Sequence, residues 1–61
     1  MDIPTYRKQL IQALKTMKEP DGTRTWSDED VEQMVEGYSD AMIRDAMQHQ
    51  SPVELAEFLS M

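Results

Sequence analysis

An all-α fold is what this sequence predicts: a small three-helix domain with a long central helix, over about residues 3–18, 28–50 and 52–60. Three observations carry that prediction. Apolar residues recur at helical spacing along most of the chain. Serines stand as N-caps in front of two of the runs, at Ser27 and Ser51. The runs are separated by short breaks, Glu19-Pro20-Asp21-Gly22-Thr23 and Ser51-Pro52, whose residues disfavour a continuing helix.

The first helix begins at Asp2 or Pro4, because Asp caps well and Pro is tolerated in a first turn. Ile3, Tyr6, Leu10, Ala13, Leu14 and Met17 form one apolar stripe, with Ile11 at its edge. Lys8, Gln9, Gln12, Lys15, Thr16 and Glu19 occupy the other side. Pro20 disfavours helical geometry in the residue before it, and Asp21-Gly22 supplies a turn. From there to Trp26 the sequence predicts an ordered loop, pinned at its end by the indole. The loop is not an EF-hand: with Gly22 as the turn glycine, Met17 stands where the first carboxylate must be.

Trp26-Ser27-Asp28-Glu29-Asp30-Val31 opens the central helix, around which the rest of the chain is expected to be organised. The Ser27 hydroxyl can accept from the Asp30 N–H, and Asp30 sits where a capping-box carboxylate reaches back. Trp26 and Val31 have the spacing of a hydrophobic staple, and the acidic first turn suits the helix dipole. Val31, Met34, Val35, Tyr38, Met42, Ala46 and His49 then run down one face, with Ala41 and Asp45 at its margin. Ile43 and Met47 fall on a different side, so the second half of this helix is apolar on two sides. Gly37 is its weak point, costing about 1 kcal/mol in a helix interior. Gly37-Tyr38-Ser39-Asp40 offers an end and a new cap at Ser39, but the stripe from Val31 to Met42 keeps its phase across the glycine. A continuous helix is the expectation. Ser51, Pro52 and Glu54 start the last helix with a capping box, and Leu55, Ala56, Phe58 and Leu59 are its buried set. The sharp turn before it brings Leu55 and Leu59 back toward Ile43 and Met47.

Length and composition bound the function. A chain of 61 residues is one domain, and at that size it buries only about 60% of its extended surface, so its stability is marginal. Cysteine is absent, which excludes disulfides and thiolate metal sites. No apolar run approaches the roughly 20 residues that span a bilayer. Met1-Asp2-Ile3-Pro4 carries no basic, apolar leader, so a cytoplasmic protein with no membrane association is expected. The net charge of −6 is unevenly placed. Arg7, Lys8, Lys15, Lys18 and Arg24 oppose only Asp2, Glu19 and Asp21 in residues 1–24. After them, Arg44 alone opposes nine carboxylates: Asp28, Glu29, Asp30, Glu32, Glu36, Asp40, Asp45, Glu54 and Glu57. The expected arrangement sets the basic first helix against the acidic second one.

Little in the chain points to catalysis. Asp45 and His49 share a helix face, but a single His with no Cys cannot complete a metal site, and an Asp–His pair at the core's edge is the simpler reading. A glycosidase-like carboxylate pair has no room for a cleft, and neither a phosphate loop nor a nucleophile elbow is present. Neither an enzyme nor a cofactor or metal is expected. Two surfaces speak for a nucleic-acid-linked role: a basic face of Arg7, Lys8, Lys15 and Lys18, and an acidic face of Asp28, Glu32, Glu36 and Asp40 that mimics phosphate spacing. The overall negative charge opposes direct binding to phosphate.

The run Val31…Met34…Gly37-Tyr38…Ala46-Met47…Ala56…Leu59 resembles the core pattern of ubiquitin-associated domains, three-helix modules that bind ubiquitin through a loop after their first helix. The resemblance covers the second half of the chain only. Glu36 stands where that loop normally has Met, the later connection is short, and residues 1–24 lie outside the pattern, so no site residue is carried over. Methionine points the same way, toward a binding role: there are 6 in the chain, and Met34, Met42 and Met47 crowd one helix, where flexible thioethers suit adaptable surfaces as well as irregular cores. The leading expectation is a non-enzymatic interaction or accessory module that binds a protein partner or a second copy of itself. Its candidate surface is Ile43, Met47, Leu55 and Leu59.

Overall fold

The computed structural model describes residues 1–60. It is all-helical in its regular elements but has four helices rather than three: α1 (Ile3–Thr16), α2 (Asp28–Glu36), α3 (Asp40–His49) and α4 (Pro52–Leu59). Each start is capped as the residue types dictate. The Asp2 carboxylate accepts from the Thr5 N–H at 2.8 Å, a bond that also holds its pKa below the ordinary carboxylate value. Ser27 accepts from Asp30 at 3.1 Å and Ser51 from Glu54 at 3.2 Å. Glu54 completes the capping box by accepting from the Ser51 N–H at 3.3 Å. Asp30 makes no such return bond to Ser27; its side chain is a methylene shorter than the Glu that the motif prefers.

The long central helix is the expectation that fails. α2 stops at Glu36, Gly37 is its C-cap with ordinary right-handed geometry, and Ser39 caps a new helix by accepting from the Met42 N–H at 3.2 Å. A helix end exposes carbonyls that need donors, and here a distant residue supplies them. The Arg7 guanidinium of α1 donates to the Val35 carbonyl at 2.7 Å and the Tyr38 carbonyl at 2.8 Å. It also donates to the Asp40 carboxylate in the first turn of α3 at 2.8 Å. One side chain thus clasps both sides of the break. The break also resets the helical phase. Ile43, off the stripe of a continuous helix, turns into the core at 1% exposure, while Met42, on that stripe, is 54% exposed.

Between α1 and α2 the chain makes a small hydrogen-bonded hairpin. Lys18 and Arg24 form an isolated antiparallel bridge, the Glu19 N–H donates to Thr23 O at 2.7 Å, and Thr25 N–H donates to Met17 O at 3.1 Å. Gly22 turns the chain at a φ of +92°, a conformation that a side chain would strain. Asp21 braces the turn by accepting from the Thr23 N–H at 2.9 Å. The loop is ordered, and its indole does pin it: Trp26 Nε1 donates to the Ser60 hydroxyl at 3.1 Å, just past the end of α4.

The core is centred on α1, not on the acidic helix. Tyr6, Leu10 and Leu14, spaced one turn apart along α1, are buried against Val31 and Val35 of α2, Ile43 of α3 and Ala56 of α4. The three later helices each pack on α1 far more than on one another. Tyr6 does double duty. Its ring is 2% exposed, and its hydroxyl donates to the Gln50 carbonyl at 3.1 Å, closing the corner between α3 and α4. No polar or charged side chain is buried among the described residues.

Candidate interaction groove

The corner at Gln50 places α3 and α4 so that their flanks open a groove between them. Gln50 leaves the helix in extended geometry, and Ser51 and Pro52 start α4 at once. The groove holds about 250 Å³. Met42 and Ala46 of α3 line one wall, Leu55 and Leu59 of α4 the other, and Tyr38 from the interhelical turn adds to the lining. The edge of Ile43 reaches it from the core, and Asp45, His49 and Gln50 supply its polar rim. Phe58, expected in the buried set of the last helix, is instead 61% exposed. Ala56 is the α4 residue of that set that is buried in the core, and Phe58 lies two residues, about 200°, around the helix from it.

The four residues expected to form an interaction surface therefore separate. Leu55 and Leu59 are half-buried and line the groove, whereas Ile43 is a core residue with one edge in it. Met47 is half-buried against the core and takes no part. Leu55 and Leu59 share the groove with Ile43, and Met47 is not among its lining residues. The groove owes its apolar wall instead to Met42 and Ala46, which the continuous-helix reading had assigned to the core stripe. Taking Ser39-Asp40 as a second helix start would have rotated both outward.

The two charged faces are partly paired with each other. Arg7 pairs with Asp40, Lys15 lies 3.5 Å from Glu32, and Arg24 hydrogen-bonds Asp28. That last bond, with the Arg24 charge behind it, holds Asp28 below the usual carboxylate range. Of the basic face only Lys8 and Lys18 lack an ion-pair partner among the described residues, and of the acidic face only Glu36. A continuous cationic track for phosphate is not presented. His49 Nε2 and Asp45 Oδ1 are 3.9 Å apart, and both side chains are largely exposed; the pair is too long for a hydrogen bond and decorates the groove's rim. Among the described residues no three His, Asp or Glu side chains gather as a metal-binding group. Nor is any helix long and apolar enough to cross a membrane.

No protein-family model matches the chain, and no curated protein or solved structure matches it. What the site can do chemically is bury apolar surface beside a few polar groups.

Proposed function

We propose that this protein is a non-enzymatic interaction module that holds a protein partner in the groove between α3 and α4. The observation that carries the reading is the outward wall of Met42, Ala46, Leu55 and Leu59, with Met42 more than half exposed. Ala46, Leu55 and Leu59 already pack in part against the core, but a small domain with little apolar surface to spare gains nothing for its own fold by leaving Met42 in water. Methionine suits a wall that must adapt to its occupant. Photocrosslinking residues placed at positions 42 and 58 test this. Both should crosslink to one and the same partner, while position 12 of α1, which does not line this groove, should not. Absence of crosslinks from 42 and 58, or equal crosslinking from 12, overturns the reading.

A second reading, a ubiquitin-associated-like module, draws support from the break at Gly37. It divides residues 28–59 into three helices in the order that the resemblance implies, and Tyr38 of the loop after the first of them lines the groove. Titration with ubiquitin, followed by the backbone resonances of Tyr38, Leu55 and Leu59, decides it. Silence at all three removes this reading and leaves the first intact.

A further inference from the structure

We propose that the occupant of the α3–α4 groove is a cationic amphipathic helix that sets apolar anchors between Met42 and Leu59 and a Lys or Arg against Asp45. The inference rests on the groove being the binding surface, and it adds the partner's chemistry. Shape argues for a helix. The groove runs between two helices of 10 and 8 residues, about two to three turns in length, and the fold has no sheet edge among its described residues onto which a strand could add. Recognition by a groove of this kind reads anchors at helical spacing.

Charge selects the sign of the partner. Among the described residues Asp45 is the one formally charged carboxylate on the groove, its side chain 79% exposed, and no Lys or Arg lines it. The nearest cation in sequence, Arg44, lies on the next residue of α3, about 100° away around the helix. His49 adds a charge only when protonated. Beyond the rim, the molecule carries a net charge of −6, which draws a basic segment and repels an acidic one. The same charge argues against a second copy as the occupant, because two copies would bring −6 against −6 with no free cation in either groove.

Three fluorescent peptides of about four helical turns test the proposal on the whole chain. One places Leu and Lys so that a helix has one apolar face. The second has the same composition scrambled so that no face forms, and the third keeps the apolar face but replaces Lys with Glu. Only the first should bind tightly, and it should shift the Met42, Ala46, Leu55 and Leu59 resonances. Asp45→Asn should weaken it by about fivefold, the effect of one exposed ion pair, and Asp45→Lys by more. Met42→Gln should weaken it without changing the circular dichroism of the free protein.

Equal binding of the scrambled Lys peptide reduces the interaction to bulk charge and overturns the proposal. Equal binding of the Lys and Glu helices in the groove, indifferent to Asp45, overturns the cationic partner while sparing the groove as a binding surface. Silence of the groove resonances toward all three overturns the proposal. Sedimentation of the pure protein as a dimer that Met42→Gln dissolves would replace the cationic helix with a second copy.

Discussion

Removing the Arg7 clasp is the most severe single perturbation that the fold predicts outside its apolar core. Arg7→Met keeps most of the aliphatic stem and deletes the guanidinium. Two carbonyls, of Val35 and Tyr38, then lose donors now at 2.7 and 2.8 Å. A hydrogen bond from a charged group is worth about 1.5–3 kcal/mol net. The Arg7 side chain is 24% exposed, so the lower figure applies, and the two bonds together contribute about 3 kcal/mol. The Asp40 pair adds less than about 1 kcal/mol, because that carboxylate is 74% exposed and an exposed pair is weak. A chain of this length has only about 3–9 kcal/mol in all. In a small domain each kcal/mol moves the midpoint by about 4–8 °C, so Arg7→Met should lower Tm by about 12 °C or more. Thermal melts followed by far-ultraviolet circular dichroism read this directly, with Asp40→Ala as the control that loses the ion pair and the first-turn charge of α3 but keeps the carbonyl bonds. Amide exchange should quicken first at Tyr38 and in the first turn of α3. If Arg7→Met melts no lower than Asp40→Ala, the carbonyl clasp is idle and the break is held by something else.

Two further perturbations follow from the same packing. Ile43→Ala should cost about 2–5 kcal/mol and Met42→Ala less than about 1 kcal/mol by denaturant titration; the reverse order would mean that α2 and α3 are one helix. Tyr6 gives the fold an alkaline limit. Burial, with the charge of Glu54 behind it, raises its pKa above the ordinary 10.0. A folded pKa above the unfolded one means that this stabilisation is complete below pH 10 and is lost as pH rises through the higher folded value. Wild type should therefore lose stability from about pH 10 upward. Tyr6→Phe should lose about 1 kcal/mol at neutral pH, with the bond to Gln50, and should show a flatter alkaline limb; an unchanged limb would mean that Tyr6 ionises freely in the folded state.

The helical class, the stripe of α1 and the caps at Ser27 and Ser51 were all legible because each is written in local residue type and spacing. The break at Gly37 was not, although its local signals were present. Gly37, Ser39 and Asp40 argue for a break, and the phase of Val31 to Met42 argues against it, with similar weight. What decides between them is a guanidinium some thirty residues earlier, and a contact at that separation leaves no periodic trace. The error then propagates. Reading one helix across Gly37 assigns Met42 and Ala46 inward and Ile43 outward, so one wall of the groove is hidden and a core residue is offered as surface. Arg7 was visible as a cation, but its partners are backbone oxygens, which no residue type announces.

The groove itself follows from where the core is. α2, α3 and α4 have 9, 10 and 8 residues, below the roughly 12–15 at which an isolated helix holds in water. Each therefore needs a partner along its apolar face, and α1, with 14 residues, is the longest available. Tyr6, Leu10 and Leu14 form its buried stripe, and Ile3, Ile11, Ala13 and Met17 widen it with half-buried flanks. That width is what lets three helices lie on one. The arrangement has a geometric consequence: when α3 and α4 both turn their innermost residues, Ile43 and Ala56, toward α1, they turn their flanks toward each other rather than their faces. Flanks set apart by a corner of two residues, Gln50 and Ser51, do not close. The apolar residues on those flanks thus stay half covered because the folding requirement is already met at α1, which leaves them available to a partner.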